Sequence, residues 1–411
     1  MTTSEVPSEP QGPLAGYRVL ELGSTVAGPF CGRLLADFGA EVIKVEPPKG
    51  DAVRSMGKRL DGRSLYAASI LRNKALVSID LDTEGGRELV QEMVADCDVL
   101  VENFKPGSME RWGLGYEELA RINPGLVMVR ISGFGQDGPY ANRPGYGVIA
   151  EAMSGLRHLT GDPDRPPSRM ATSLTDYITG LYAAFGVALA LLERKVSGRG
   201  QMIDAVLYES AFSFMEPWIP AFEKLGHIAE RSGSGLPEST PNNLYPTGDG
   251  DYIHIAAPGD SVFGRLVDAI GLPDLAEDPR FATAVDRSRN EQDIDGLIAN
   301  WTSSRTIPTI ERILVEHQVP VAPIYTIADL FQDAHVQDRG AIVNAPDVEL
   351  GSIAMAGVVP RLSATPGRIL FAGGEVGSNT REVLEDTFGI DSGRVDSLIQ
   401  SGAIFEREES K

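Results

Sequence analysis

The sequence predicts an α/β protein: a large, Rossmann-like, doubly wound parallel sheet domain with a second, smaller α+β domain. Three observations carry that expectation. Compact apolar runs alternate with helix-period segments through the first third of the chain. A stretch rich in Gly, Ser and Pro, "RSGSGLPESTPNN", interrupts the chain past its middle. Behind it, "YPTGDGDYIHIAAP" carries a hairpin signal around Asp-Gly.

"YRVLELG" is an apolar run closed by Gly and reads as a buried strand. "GPFCGRLLADFGA" has helix spacing, with Phe30, Leu34, Leu35 and Phe38 on one side. "EVIKVE" is the next strand, and strand, helix and strand within about thirty residues make a right-handed βαβ unit. The strand "ALVSIDL", the helix "EGGRELVQEMVADC", the strand "DVLVEN", the helix "YEELARINP" and the strand "LVMVRISGFG" repeat the pattern. A long helix is expected from Leu174 to Lys195. It opens on a charge, Asp176, and continues in Ala, Leu and Gly, so it should be almost wholly buried. "SGRGQMIDAVLYESAF" then supplies a turn, a short strand and a helix. The expected divisions are a disordered lead-in over 1–11 and a large domain over 12–215. A linker with a Gly/Ser loop follows over 216–244, then a small domain over 245–325. The segment 326–411 returns to complete the large domain. No period of 20 to 50 residues suggests a solenoid.

The chain has 411 residues, 42% hydrophobic and 23% charged, which suits a soluble globular protein of two or three domains. A net charge of −21 argues against non-specific binding to nucleic acid or to an anionic membrane. The start, "MTTSEVPSEPQGPL", lacks the basic and apolar regions of a signal peptide. No transmembrane helix is expected, because charge or turn residues interrupt the long apolar runs. Cys31 and Cys97 form neither a disulfide framework nor a metal site by spacing, so no metal is expected and a cytoplasmic setting fits. Against the acidic background, Lys44, Lys49, Arg54, Lys58, Arg59, Arg63, Arg72 and Lys74 crowd together. They are either solvated loop charge or a local site for a small anion.

Asp176 is the first candidate for chemistry. An Asp in a first helical turn is stabilised by the macrodipole alone. Thr172, Ser173 and Thr175 already offer capping hydroxyls, however, and a sheltered carboxylate at a packed helix start can serve as a nucleophile. In "VENFKPGSMERWGL", Asn103 and Phe104 lie just beyond a strand, on the ligand-binding edge of such a sheet. Phe104 could stack on a purine, Asn103 could bond its edge and Arg111 could meet a phosphate; a plain loop-to-helix turn is the other reading. The first βα turn, "GSTVAGP", lacks the G-x-G-x-x-G fingerprint, which counts against a nicotinamide-dependent oxidoreductase.

Taken in order, "LELGSTVAGPFCGRLLADFGAEVIKVEPPKGD", "NKALVSIDL", "VENFKPGSMERWGL", "ISGFGQDGPYANRPGYG", "EAMSGLRHLTG", "TDYITGLYAAFGVALALLER", "GRGQMIDAVLYES", "DPRF" and "GSNTREVL" resemble the class III CoA-transferase family of the CaiB/BaiF type. That family includes formyl-CoA and carnitine CoA-transferases, and the resemblance runs from about Gly12 to the last few residues. It implies an enzyme that moves CoA between an acyl-CoA thioester and a small mono- or dicarboxylic acid, with succinyl-CoA a plausible donor. No permanently bound cofactor is implied, since coenzyme A and acyl-CoA are substrates. Asp176 matches the aspartate that attacks the thioester, passing through a mixed anhydride and an aspartyl-CoA thioester. Thr25, Val26 and Ala27 match the first-turn segment that meets CoA, and Asn103, Phe104 and Arg111 match further CoA positions. Two basic residues of formyl-CoA transferase are replaced here by Pro47 and, approximately, Gly145; Arg54 or Arg72 is the expected substitute. "SGSG", Ser232, Gly233, Ser234 and Gly235, lies where the family carries a glycine-rich lid. The family's interlocked homodimer is expected too. A sister branch contains α-methylacyl-CoA racemases, which use a His in a Gly-His-Asp segment. The matching stretch here, "RPGYGVI", has Tyr146 and Gly147 and no His, and His158 downstream reads as incidental, so transferase is favoured over racemase.

Overall fold

A computed structural model describes residues 12–407, and the expected lead-in over 1–11 lies outside them. The chain divides into two compact units. One holds 12–156, 170–220 and 337–407; the other holds 157–169 and 221–336.

The large unit is built on a seven-stranded sheet. Across it run Ile404–Phe405, Lys74–Ile79, β2 (Glu41–Glu46), β1 (Arg18–Glu21), Val99–Glu102, Val127–Ser132 and Met202–Val206. The last six are parallel neighbours, and Ile404–Phe405 adds antiparallel to the Lys74–Ile79 edge. In chain order the parallel strands follow the 3-2-1-4-5-6 arrangement of doubly wound sheets, whose ligand crevice opens where the order reverses beside β1. The strands read as continuous apolar runs because both faces are covered. Leu20, Ile43, Leu100 and Met128 enter one core with Leu89, Val90 and Met93 of the helix Glu84–Val94. Their neighbours Val19, Val42, Val99 and Val127 enter the other, with Cys31 and Leu35 of α1 (Ala27–Asp37) and Ala183 and Val187 of the helix Leu174–Ser197.

The smaller unit carries a three-stranded antiparallel sheet, Val321–Pro323, Tyr252–Ala256 and Asn242–Pro246. Tyr245, Ile253 and Ile255 pack on Phe263, Leu266, Ile294, Ile298, Ile310 and Leu314 from the covering helices.

Two expectations are corrected. The expected linker over 216–244 contains a helix, Trp218–Leu225, and the first strand of the small sheet already begins at Asn242. Pro220 sits in the first turn of that helix, where its missing N–H costs nothing. The helix Leu174–Ser197 is not almost wholly buried. It buries Thr175, Thr179, Gly180, Ala183, Val187, Ala190 and Leu191, but Leu181, Tyr182, Phe185, Leu189, Leu192 and Val196 form an exposed apolar stripe at helical spacing. By length and composition it would also suffice to cross a membrane. Its buried face is one wall of the large unit's core.

Candidate active site

The first βα turn is built around two polar anchors. Asn103 accepts from Ser24 N at 2.7 Å and donates to Ser24 O at 2.8 Å, joining the turn to the loop after Val99–Glu102. Asp51 Oδ1 accepts from Thr25 N at 2.9 Å, Val53 N at 2.9 Å and Ser24 Oγ at 3.2 Å. Thr25 is held at φ 71, a left-handed conformation that costs a β-branched residue about 1–3 kcal/mol and persists only where neighbours impose it. Lys44 completes the frame. It is buried, lies 2.8 Å from Asp51 Oδ2 and also donates to Gly23 O. Burial works against charge on Asp51, yet Lys44 and the amides of Val53 and Thr25 hold its carboxyl down to about 2. A cleft of about 190 Å³ opens here, at the carboxyl edge of the sheet, with Ser24, Pro47, Leu81, Phe104 and Trp112 among its walls. Phe104 and Trp112 meet edge to face at 5.0 Å. Arg111 is exposed on the helix Ser108–Arg111 and donates to Ser108 Oγ at 2.9 Å.

Several candidate binding residues are thereby reassigned. Both ends of the Asn103 amide take part in shaping the turn, and one N–H and one oxygen lone pair are left over. Val26 and Ala27 are buried in core clusters, which leaves only their backbones for a ligand. Arg72 is fully buried, with Nε and Nη2 on the two oxygens of Asp37 at 2.9 and 2.6 Å and Nη1 on Ala356 O. It is a structural ion pair and cannot replace the missing phosphate-binding residue. Arg54 is likewise committed to both oxygens of Glu46, at 2.7 and 2.6 Å. The crowded basic residues therefore fit neither sequence reading as a group. Lys44, Arg63, Arg72 and Lys74 are buried in ion pairs, while Lys49, Lys58 and Arg59 are exposed.

Asp176 stands in the first turn of Leu174–Ser197 and is half-buried. The capping role expected of its neighbours is not taken: Ser173 at the N-cap makes no side-chain capping bond, and the buried Thr175 Oγ1 has no hydrogen-bond partner. One turn on, Gly180 lets α1 come close; a methyl group there would lie 2.8 Å from Ala27 O. The Asp176 helix and the helix that follows the first βα turn are thus pressed together. Beside Asp176, the Tyr177 and Tyr66 hydroxyls are 2.8 Å apart, and the Tyr177 ring meets Phe30 edge to face at 4.7 Å. Burial, then the Tyr177 hydroxyl and the charges of Tyr177 and Asp176, push the Tyr66 phenol up.

In the smaller unit, the Ser232–Gly235 segment is a tied turn. Ser232 Oγ donates to Gly235 O at 2.7 Å, Gly233 N to Gly161 O at 3.1 Å, and Ser234 Oγ to Asn243 Oδ1 at 2.6 Å. His158 lies in a short helix, Leu156–Leu159, 3.5 Å from Glu230. Among the described residues no group of three or more His, Cys, Asp or Glu is placed to hold a metal ion. The sequence reading missed Ser24, Asp51, Trp112 and Tyr66. Trp112 alone left a signal, as the second aromatic of the segment that holds Phe104.

Known proteins share this architecture. The family model described as CoA-transferase family III matches residues 14–380. A succinyl-CoA–D-citramalate CoA-transferase of Chloroflexus aurantiacus is 48% identical over 93% of this chain and 95% of its own. The succinyl-CoA–L-malate CoA-transferase beta subunit of the same organism is 40% identical over 94% of this chain and 96% of its own. The crystal structure of a CaiB/BaiF family protein from Brucella suis superposes with a TM-score of 0.82 at 34% identity, covering 92% of this chain and 99% of that one. With a parallel-dominated sheet of the same architecture and family similarity along nearly its whole length, the chain belongs to CoA-transferase family III and is an enzyme that moves CoA between acyl-CoA thioesters and carboxylic acids.

Proposed function

We propose that this enzyme takes CoA from succinyl-CoA and delivers it to a small hydroxy-dicarboxylic acid, with Asp176 as the covalent nucleophile. An Asp176 carboxylate oxygen attacks the thioester carbonyl carbon; a C–O bond forms, the C–S bond breaks, and the electron pair leaves on the CoA thiolate. The thiolate attacks the Asp176 γ-carbon of the mixed anhydride, which frees the donor carboxylate and leaves an aspartyl-CoA thioester. The acceptor carboxylate then attacks that thioester, again releasing the thiolate. Attack of the thiolate on the acceptor's carbonyl carbon gives the new acyl-CoA and restores Asp176. A reactive acyl bond is conserved at each step, so no nucleotide is hydrolysed. The observation that carries the nucleophile is a first-turn carboxylate held at a close helix crossing, in the unit that also holds the cleft.

CoA lies along the carboxyl edge of the Rossmann-like sheet, its base against Phe104 and Trp112 and Arg111 at the rim. The shaped Ser24–Thr25 turn and the cleft support that placement. The acids are inferred from the named substrates of the two Chloroflexus relatives. Ser232–Gly235 acts as a lid that keeps water from the anhydride. The working form is a homodimer, interlocked as in the family. The exposed stripe on Leu174–Ser197 supports a second copy as its cover, since a monomer seldom leaves so continuous an apolar face in water. The setting is the cytoplasm. A panel of acyl-CoA donors against citramalate, malate, glutarate and oxalate, read by mass spectrometry, tests the substrate reading. Rapid transfer from succinyl-CoA to citramalate or malate is expected, and a strong preference for oxalate or a monocarboxylate would contradict it. Light scattering should give twice the chain mass.

A further inference from the structure

Gly147 opens the helix Gly147–Met153, and its φ is not in the left-handed region, so no backbone conformation requires glycine there. What the position does require is the absence of a side chain. A methyl group on its α-carbon would lie 2.0 Å from Asp176 Oδ2, 2.9 Å from Cγ and 3.3 Å from Oδ1, and these are its three nearest heavy atoms. The Asp176 carboxylate fills the space that any other residue at 147 would use.

Both helices are anchored in one core. Ala150, one turn into the Gly147 helix, is buried in the same cluster as Ala183 and Val187 of the Asp176 helix. One turn on from Asp176, on nearly the same face, the helix is pressed on α1 at Gly180, where the main chain of Ala27 leaves no room. A side chain at 147 would therefore be accommodated by the Asp176 side chain, which would swing off the Gly147 α-carbon.

We infer that Gly147 is a positioning residue of the transfer: its bare α-carbon is the seat that fixes the Asp176 carboxylate for attack on the thioester. The inference rests on Asp176 being the nucleophile and adds the element that orients it. A nucleophile displaced by about 1 Å loses on the order of 100-fold in rate, because the near-attack geometry is lost while substrate binding elsewhere is kept. Gly147→Ala should consequently lower kcat at least about 100-fold and change KM for succinyl-CoA less than about threefold.

The test is a double-mutant cycle with two readouts, kcat with KM and thermal stability, on Gly147→Ala, Asp176→Ala and the double variant. Removing the carboxylate empties the seat, so the Tm change caused by Gly147→Ala should be more favourable in the Asp176→Ala background than in the wild type, by at least about 2 °C. Should Gly147→Ala alone fail to fold, folding of the double variant supports the inference and its failure overturns it. Equal Tm changes in the two backgrounds, or wild-type kcat in Gly147→Ala, would each overturn it. Failure of the underlying mechanism looks different: Asp176→Ala itself would retain transfer.

Discussion

Replacing Asp51 by Asn isolates the buried strut beneath the first turn. The carboxyl is held at about 2 against an ordinary 3.8, and its depressed value means that the charged form is favoured by folding. The sign follows: this contribution is fully present above pH 3.8 and fades as pH falls toward 2. That depression corresponds to about 2 kcal/mol. Asn would keep an acceptor for Thr25 N but lose the charge opposite Lys44, whose remaining acidic partner, Glu21, is 3.6 Å away. Thermal melts of Asp51→Asn at pH 7 should fall by about 3–4 °C. The gap to wild type should narrow in acid, for as long as both remain folded. Because Asp51 also holds Thr25 at its positive φ, KM for acyl-CoA should rise by on the order of tenfold with a smaller change in kcat, about 1.4 kcal/mol of binding. A melting difference that does not narrow below pH 3.8, or an unchanged KM, would refute the linkage between strut and turn.

Arg72→Met should cost about 3 kcal/mol, because the buried Asp37 loses its two short bonds and keeps only Arg33 at 3.6 Å and Asn73 at 3.0 Å, while CoA affinity of the folded variant stays at the wild-type value; a selective loss of CoA binding would return Arg72 to the site. Phe104→Ala should weaken CoA binding by about 1 kcal/mol or more in calorimetry, through lost stacking and loss of the Trp112 contact, and equal affinity would place the base elsewhere. Ser234→Ala cuts the bond to Asn243 with little change in bulk. If Ser232–Gly235 is a lid, free thiol released per product acyl-CoA should rise, whereas an unaltered ratio would leave the segment a structural turn.

Much of the fold was legible because burial on two faces writes itself into sequence. Val19 and Leu20 enter opposite cores, as do Val42 and Ile43, and the result is the unbroken apolar run that marks a central parallel strand. The edge strand Ile404–Phe405 has two residues, too few for any pattern. Trp218–Leu225 was hidden by the surrounding loop composition and by Pro220. The stripe from Leu181 to Val196 misled in the other direction, since apolar residues do not say whether their own chain covers them. Charge was the weakest guide to the site. Arg72 and Arg54 suggest an anion in the sequence, but each is matched by an acid distant along the chain or across a turn, Asp37 and Glu46. Asp176 was legible as a charge out of keeping with its apolar surroundings. Gly147 was not, because a missing side chain carries no meaning until the carboxylate that fills its place is located.

The most direct test of Asp176 as the covalent carrier of CoA transfer is mass spectrometry of the enzyme after incubation with succinyl-CoA and quenching with hydroxylamine. The peptide containing Asp176 should carry a hydroxamate in the wild type, dependent on succinyl-CoA. In Asp176→Ala the modification should be absent and turnover lower by at least about 1000-fold. An unmodified Asp176 peptide in enzyme that is actively transferring CoA, or near-normal transfer by the alanine variant, would contradict it.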